Sequence, residues 1–88
     1  MNADEIIRQV NEILIEGFEV EPGLLRPEAS LIDDLGLDSL DGVDIVVAME
    51  KKFGCRIEEA EARAMRTLKD IYDSVARHVA DSGGGADS

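Results

Sequence analysis

Apolar side chains recur at spacings of three and four residues along most of this chain, which restricts its fold to packed helices. One stripe lies within residues 3 to 17, a second runs from Ser39 to Phe53, and a third follows Thr67. Strands would need apolar and polar residues to alternate, and the chain has no such pattern. The segment 58 to 65 adds one or two further helical turns. We therefore predict an all-α fold, a small four-helix bundle with three longer helices and one short one.

Capping residues indicate where these helices begin and end. Asn2 and Glu5 form a capping pair for the first helix, and Gly17 is its expected stop. Gly54 is the expected stop of the second helix, and Thr67 caps the last one. The second helix has one weak point, because Gly42 lies in its first turns and glycine is a poor helix residue.

A long structured loop is expected between the first two helices, from residue 18 to residue 38. Within it, Ser30 followed by Asp33 predicts a single capped turn that ends at Gly36. The residues that interrupt any regular element there are Pro22, Gly23, Pro27 and Gly36.

A chain of 88 residues encloses one hydrophobic core, which leaves no room for a separate catalytic domain. We place one domain at residues 1 to 80 and a disordered Gly, Ser and Asp tail at residues 81 to 88. No metal site is expected, because the chain has one cysteine, Cys55, and one histidine, His78. No apolar run approaches the roughly 20 residues that span a bilayer, and the first residues lack the order of a secretory signal, so we expect a cytoplasmic protein.

The chain is strongly acidic, with 20 acidic and 9 basic residues and a net charge of −11. Such a charge repels nucleic acids and anionic lipid surfaces and attracts basic patches on proteins. The acidic residues could instead merely keep a small domain soluble, which is the interpretation that composition alone favours, and the positions of the charges have to decide.

Ser39 stands at the first turn of the second helix, between Asp38 and Asp41, and its hydroxyl is expected to be exposed. It is either a polar residue at a helix start, with the two aspartates as a capping pair, or a site of covalent modification. A helix N-terminus favours an attached phosphate, although the aspartates partly oppose it. A catalytic nucleophile is not expected, because the only histidine, His78, lies near the far end of the last helix.

The LGLDSL corner leads into a helix that closes with Phe and Gly, a specific pattern in so short a chain. The residues concerned are Asp34, Leu35, Gly36, Leu37, Asp38, Ser39, Leu40, Val43, Ala48, Glu50, Phe53, Gly54, Ile57, Thr67 and Leu68. Through them, residues 31 to 75 resemble the freestanding bacterial acyl carrier proteins, and the first helix does so more loosely. The resemblance implies a carrier and not an enzyme. It implies that a holo-acyl-carrier-protein synthase or other phosphopantetheinyl transferase moves 4′-phosphopantetheine from coenzyme A to Ser39, where acyl groups travel as thioesters.

The resemblance also implies an apolar cargo pocket and a docking face. The implied pocket residues are Leu31, Leu35, Val43, Val46, Met49, Ile57, Ala62, Met65, Leu68 and Ile71. All of them would also suit a bundle core without cargo. The docking face implied for the second helix consists of Asp38, Leu40, Asp41, Val43, Asp44, Val47, Glu50, Lys51 and Lys52. Its implied partners are ketosynthases, acyltransferases or ligases with basic patches, in fatty acid, lipid or polyketide-type synthesis, and a monomer is expected.

Lys51 and Lys52 depart from the pattern, because acidic residues often occupy these positions in the proteins that the chain resembles. Either they complement the dipole at the helix C-terminus, or they mark a specialised acyl carrier with its own partners. Within the carrier class the alternative is a peptidyl or aryl carrier, and outside it the alternative is an unmodified acidic helical adaptor. A calcium-binding loop fails, because loops starting at the local aspartates would have Leu35, Leu40 or Val43 at the third ligand position.

Three further side chains are expected to be structural or solvent-facing. Cys55 is predicted to be a small buried hydrophobic residue, and Tyr72 a core residue. His78 is predicted to be solvated near a helix end.

Overall fold

The computed structural model of the chain describes the backbone of residues 2 to 86 and the side chains of residues 2 to 80. Its helices are α1 (Ala3–Phe18), α2 (Ser39–Phe53), α3 (Glu59–Ala64) and α4 (Leu68–Ala86), and a 3₁₀ helix (Pro22–Leu24) precedes α2. Within this part of the chain the only β pairing is an isolated bridge between Ser30 and Thr67. The predicted all-α bundle with three longer helices and one short one is therefore confirmed.

Helix α1 begins as predicted but ends later. The Asn2 side chain accepts a hydrogen bond from the Glu5 N–H at 2.8 Å, which caps the first turn. The predicted stop at Gly17 is wrong, because the helix continues to Phe18 and Glu19 takes the left-handed conformation. The Val20 N–H then bonds to the Leu14 carbonyl at 3.1 Å, and the Val20 side chain is buried. Burial of Val20 accounts for the position of this helix end better than the lack of a side chain at Gly17 does.

Helix α2 has the predicted bounds. Asp38 and Asp41 form a complete capping box, in which each carboxylate accepts the backbone N–H of the other residue. Gly54 ends the helix with φ of 64° and donates its N–H to the Glu50 carbonyl.

The loop before α2 contains the predicted turn and one element that was not predicted, the 3₁₀ helix Pro22–Leu24. The Ser30 hydroxyl accepts the Asp33 N–H at 3.1 Å, and the Asp34 carboxylate accepts the Ser30 N–H at 2.7 Å. Gly36 follows in the left-handed conformation, as its predicted role as a stop requires.

The same loop is fastened to the start of α4. The Leu68 N–H bonds to the Ala29 carbonyl and the Leu31 N–H to the Arg66 carbonyl, both at 3.0 Å. Thr67 caps α4 as predicted, and the Asp70 carboxylate accepts the N–H groups of Arg66 and Thr67. These backbone N–H groups lower the pKa of Asp70. The loop therefore holds the residues just before Ser39 in a fixed place.

Helix α4 continues as far as Ala86, beyond the predicted domain end at residue 80. The side chains from residue 81 onward and the whole of residues 87 and 88 lie outside the described residues. The disorder expected for residues 81 to 88 therefore stays a prediction. Within residues 2 to 86 no helix is both long and apolar enough to cross a membrane.

The core lies where α1, α2 and α4 meet, and it is almost wholly aliphatic. Tyr72 is buried in it, as predicted, and donates its hydroxyl to the Asn11 side chain. Cys55 is only half-buried, although it packs against the same cluster. The most deeply buried side chains are Leu14, Met49, Leu68, Ile71, Val10 and Val75. Helix α3 contributes no fully buried side chain, and a cavity opens between it and α2.

Candidate functional site

Ser39 is the first residue of α2, and its side chain is exposed. The capping box is supplied by Asp38 and Asp41, so the Ser39 hydroxyl is not needed to start the helix. Within the described part of the chain this hydroxyl makes no hydrogen bond to another group. Ser39 is thus presented to solvent on a firmly capped helix end.

A cavity of about 730 Å³ opens beside Ser39, between α2, α3 and the loop that precedes α2. Its walls are mostly apolar, and its polar lining residues are Asp38, Ser39, Glu50, Glu59 and Arg63. The lining residues are Leu31, Ile32, Leu37, Asp38, Ser39, Gly42, Val43, Ile45, Val46, Val47, Glu50, Ile57, Glu59, Ala62, Arg63, Met65 and Ile71. An exposed hydroxyl at the mouth of an aliphatic cavity is the central feature of the molecule.

The structure brings most of the predicted pocket residues to this cavity. Those on its wall are Leu31, Val43, Val46, Ile57, Ala62, Met65 and Ile71. Leu35, Met49 and Leu68 do not line it and are buried elsewhere in the core cluster. The core and the cavity wall share Leu37, Ile45, Ile57 and Ile71, so the helical period alone does not separate core positions from cavity positions.

Sequence reasoning missed several residues of the wall. Ile32 comes from the turn before α2, and Ile45 and Val47 come from α2 itself. At the α3 side, Glu59 and Arg63 form an ion pair at 2.7 Å. The position of Ile32 in the turn that precedes α2 could have indicated that it lines the cavity. Nothing in the sequence indicated this for Glu59 and Arg63.

The outer face of α2 carries three exposed apolar side chains. Leu40 is 75% exposed, Val43 61% and Val47 42%. Asp44 and Lys51 are exposed as well, and the helical spacing places them along the same stripe. Asp38 and Lys52 are also exposed, and Asp41 is half-buried. The predicted docking face is thus an accessible apolar stripe with acidic residues near Ser39 and lysines at its far end.

Glu50 differs from the other predicted docking residues. Its carboxylate accepts the Ile57 N–H at 2.8 Å and is half-buried. Because this bond spans seven residues, it ties the end of α2 to the segment that leads into α3. In this structure Glu50 therefore stabilises the connection between α2 and α3.

A cluster that the sequence did not indicate joins α3 to α4. The Glu61 side chain is only 19% exposed, and its carboxylate accepts hydrogen bonds from Ser74 and Arg77 and pairs with the His78 ring at 2.8 Å. Partial burial alone would raise the pKa of Glu61, but the bonds from Ser74, His78 and Arg77 outweigh it and lower the pKa from 4.5 to about 2. The prediction of a solvated His78 is wrong, because the ring packs against α3 to pair with this carboxylate.

Cys55 lies in the segment that joins α2 to α3. Burial, together with the nearby Glu50 and Glu61 carboxylates, raises the pKa of its thiol and keeps it protonated. Among the described side chains, no three His, Cys, Asp or Glu residues come together as a metal-binding group.

Comparison with known proteins places this site in a family context. Residues 8 to 75 match the family model described as "Phosphopantetheine attachment site". The acyl carrier protein of Thermosynechococcus vestitus is 39% identical over 91% of this chain and 99% of its own length. That of Syntrophobacter fumaroxidans is 39% identical over 82% of this chain and 89% of its own length. The crystal structure of an acyl carrier protein from Thermotoga maritima superposes with a TM-score of 0.81, at 30% identity, over 92% of this chain and 94% of that one.

Proposed function

We propose, since this chain belongs to the acyl carrier protein family, that Ser39 is the attachment point of its prosthetic group and that the cavity beside Ser39 receives the acyl cargo. The chain is a carrier and not an enzyme, and its prosthetic group is 4′-phosphopantetheine. Once attached, this group supplies a terminal thiol that holds an acyl group as a thioester. The observation that carries the proposal is the exposed, unbonded Ser39 hydroxyl at the mouth of an aliphatic cavity.

The start of α2 fits an attached phosphate. The capping box occupies the N–H groups of Asp38 and Asp41 but leaves those of Ser39 and Leu40 free of bonds within the helix. These N–H groups and the positive end of the helix dipole favour an anion at this point. The two aspartate carboxylates oppose it in part, and solvent exposure at Ser39 weakens that repulsion.

The cavity walls suit an alkyl chain. Burial of each methylene is worth roughly 0.8 kcal/mol, and the walls offer Ile, Leu, Val and Met side chains. None of the residues that line the space is aromatic, so small rotations of aliphatic side chains can adapt it to chains of different length. The chain's own contribution is to shield the cargo from water and from premature transfer.

The exposed stripe on α2 serves as the docking face in this proposal. Leu40, Val43 and Val47 offer apolar contact, while Asp38 and Asp44 attract basic patches. The expected partners are a phosphopantetheinyl transferase and the ketosynthase, acyltransferase or ligase enzymes of fatty acid, lipid or polyketide-type synthesis. We place the protein in the cytoplasm as a monomer.

Lys51 and Lys52 narrow the choice of partner. Within the described residues neither lysine forms an ion pair, and the neighbouring Glu50 carboxylate is committed to the Ile57 N–H. Their charge is therefore available to a partner. A partner with acidic residues opposite this end of α2 fits better than one with a wholly basic patch, which supports a specialised carrier.

Intact mass spectrometry tests the attachment point. The purified chain is incubated with coenzyme A and a broad-specificity phosphopantetheinyl transferase, and we expect the mass of one phosphopantetheine to be added. Ser39→Ala should gain nothing, whereas Ser30→Ala, which removes a hydroxyl from the preceding turn, should still gain the group. Modification of the Ser39→Ala variant would show that another residue is the attachment point. No gain in the wild-type chain with several transferases would favour the unmodified adaptor.

A further inference from the structure

The backbone conformation of α2 does not explain why residue 42 is a glycine. The positive φ angles among the described glycines belong to Gly36 and Gly54, so Gly42 has an ordinary helical conformation. Glycine lowers helix stability relative to alanine, because it has more backbone freedom to lose. The conformation at this position therefore gives no reason for glycine.

Packing does not explain Gly42 either. A Cβ atom added at this position would meet no atom within 4 Å apart from its two chain neighbours and the backbone of its own helix. A close approach by a neighbouring element is thus not what excludes a side chain. The space next to the glycine is open, and Gly42 is one of the residues that line the cavity.

The position of this open space relates it to Ser39. Gly42 follows Ser39 by three residues, so the two lie on the same face of α2, one turn apart. Val46 continues this face another turn along, and all three residues line the cavity. Ser39, Gly42 and Val46 therefore form one strip of the cavity wall, in which Gly42 has no side chain.

We propose that Gly42 keeps open the passage through which the arm on Ser39 brings its acyl group into the cavity. The inference rests on the proposed function, because it assumes that cargo enters this space from Ser39. Side chains at position 42 should close the passage in order of their size. The folded chain without an arm should tolerate them, because they would fill only empty space.

The test uses octanoyl-loaded protein, with loading verified by intact mass before any comparison. Two readouts are measured: the rate of thioester cleavage by hydroxylamine, and the change in ¹³C-methyl NMR shifts of Val46 and Ile71 on loading. Gly42→Leu should increase the cleavage rate several-fold and reduce both shift changes, and Gly42→Ala should have a smaller effect in the same direction. The melting temperatures of the unmodified variants should equal or exceed that of the wild type.

Gly17→Leu is the matched control, because Gly17 is also helical, its added Cβ would also meet nothing within 4 Å, and it does not line the cavity. We expect it to leave the cleavage rate and the methyl shifts unchanged. Wild-type protection of the thioester in loaded Gly42→Leu would overturn the role of Gly42. If loading shifts no cavity methyl in the wild type, the proposed cargo site itself fails and the inference falls with it. If Gly42→Leu does not fold, the comparison of Gly42→Ala with Gly17→Ala decides.

Discussion

Glu19 holds a backbone conformation that glycine adopts far more readily. Its φ is 57°, in the left-handed region, and its side chain is exposed at the end of α1. We predict that Glu19→Gly raises the free energy of unfolding by about 1 kcal/mol, because it removes the steric cost of this conformation. Urea unfolding followed by circular dichroism measures the change. Glu16→Gly is the control, since Glu16 is exposed within α1 and the change should cost about 1 kcal/mol. An equal loss of stability in Glu19→Gly and Glu16→Gly would contradict this explanation.

The same residue shows a limit of sequence reasoning. A glycine within two residues of a helix end is a reasonable predictor of the end, and Gly54 behaved in this way. Gly17 does not end α1, because burial of Val20 fixes where the chain leaves the helix. Glu19 then takes the left-handed backbone conformation. Burial of a residue beyond the helix is a tertiary effect that local capping rules do not contain.

Among the elements, α3 depends on few contacts outside itself. It has six residues and no side-chain cap at its start, and Glu61 is its link to α4 through Ser74, Arg77 and His78. We predict that Glu61→Gln lowers the free energy of unfolding at neutral pH by about 2 kcal/mol, because it weakens charge-assisted bonds at a largely buried carboxylate. Thermal unfolding gives the measurement. Glu59→Gln removes an exposed ion pair on the same helix and should change stability by no more than about 0.5 kcal/mol. Similar effects from both substitutions would refute a special role for Glu61.

The Glu61 cluster also predicts a dependence on pH. Because folding lowers the pKa of Glu61 from 4.5 to about 2, its stabilising contribution is fully present above pH 4.5 and is lost as the pH falls toward 2. The stability difference between the wild type and Glu61→Gln should therefore shrink over this range. The ¹³C shift of the Glu61 carboxyl, followed from pH 6 down to about 2, checks the cause directly. A midpoint near the ordinary value for glutamate would contradict it.

Elements whose determinants are close in sequence were predictable, and those built from distant residues were not. The capping box of α2 lies within four residues, so the sequence predicted both the helix start and the exposure of Ser39. Glu61 meets side chains 13 to 17 residues away on another helix, a distance over which no local pattern connects them. Met49 and Leu68 are buried in the core cluster and do not line the cavity, and this distinction likewise depends on tertiary packing.

At the scale of the whole molecule, the net charge of −11 acts against the folded state. Carboxylates lie closer together in the compact form, so their mutual repulsion lowers its stability. We predict that the melting temperature rises by several degrees as salt increases from a few millimolar to about 0.15 M, where the Debye length falls to about 8 Å. Differential scanning calorimetry at constant pH provides the measurement. A melting temperature that is independent of salt would mean that the acidic surface does not limit stability.

The charge is also unevenly placed on α2, and this asymmetry separates two roles for Lys51 and Lys52. As dipole partners in the last turn they would each contribute roughly 0.3 to 1 kcal/mol to stability and nothing to partner choice. As part of the docking face they would disfavour enzymes whose patch is basic throughout.

We predict that the Lys51→Glu, Lys52→Glu double variant is accepted faster than the wild type by a general fatty acid ketosynthase at low salt, and that the gain shrinks as salt screens the contact. The assay is single-turnover acyl transfer from the loaded carrier. Lys69→Glu is the control, because it also reverses the charge of a lysine but on α4, and it should not accelerate transfer. Unchanged transfer kinetics together with reduced stability in the double variant would assign both lysines to the helix dipole alone.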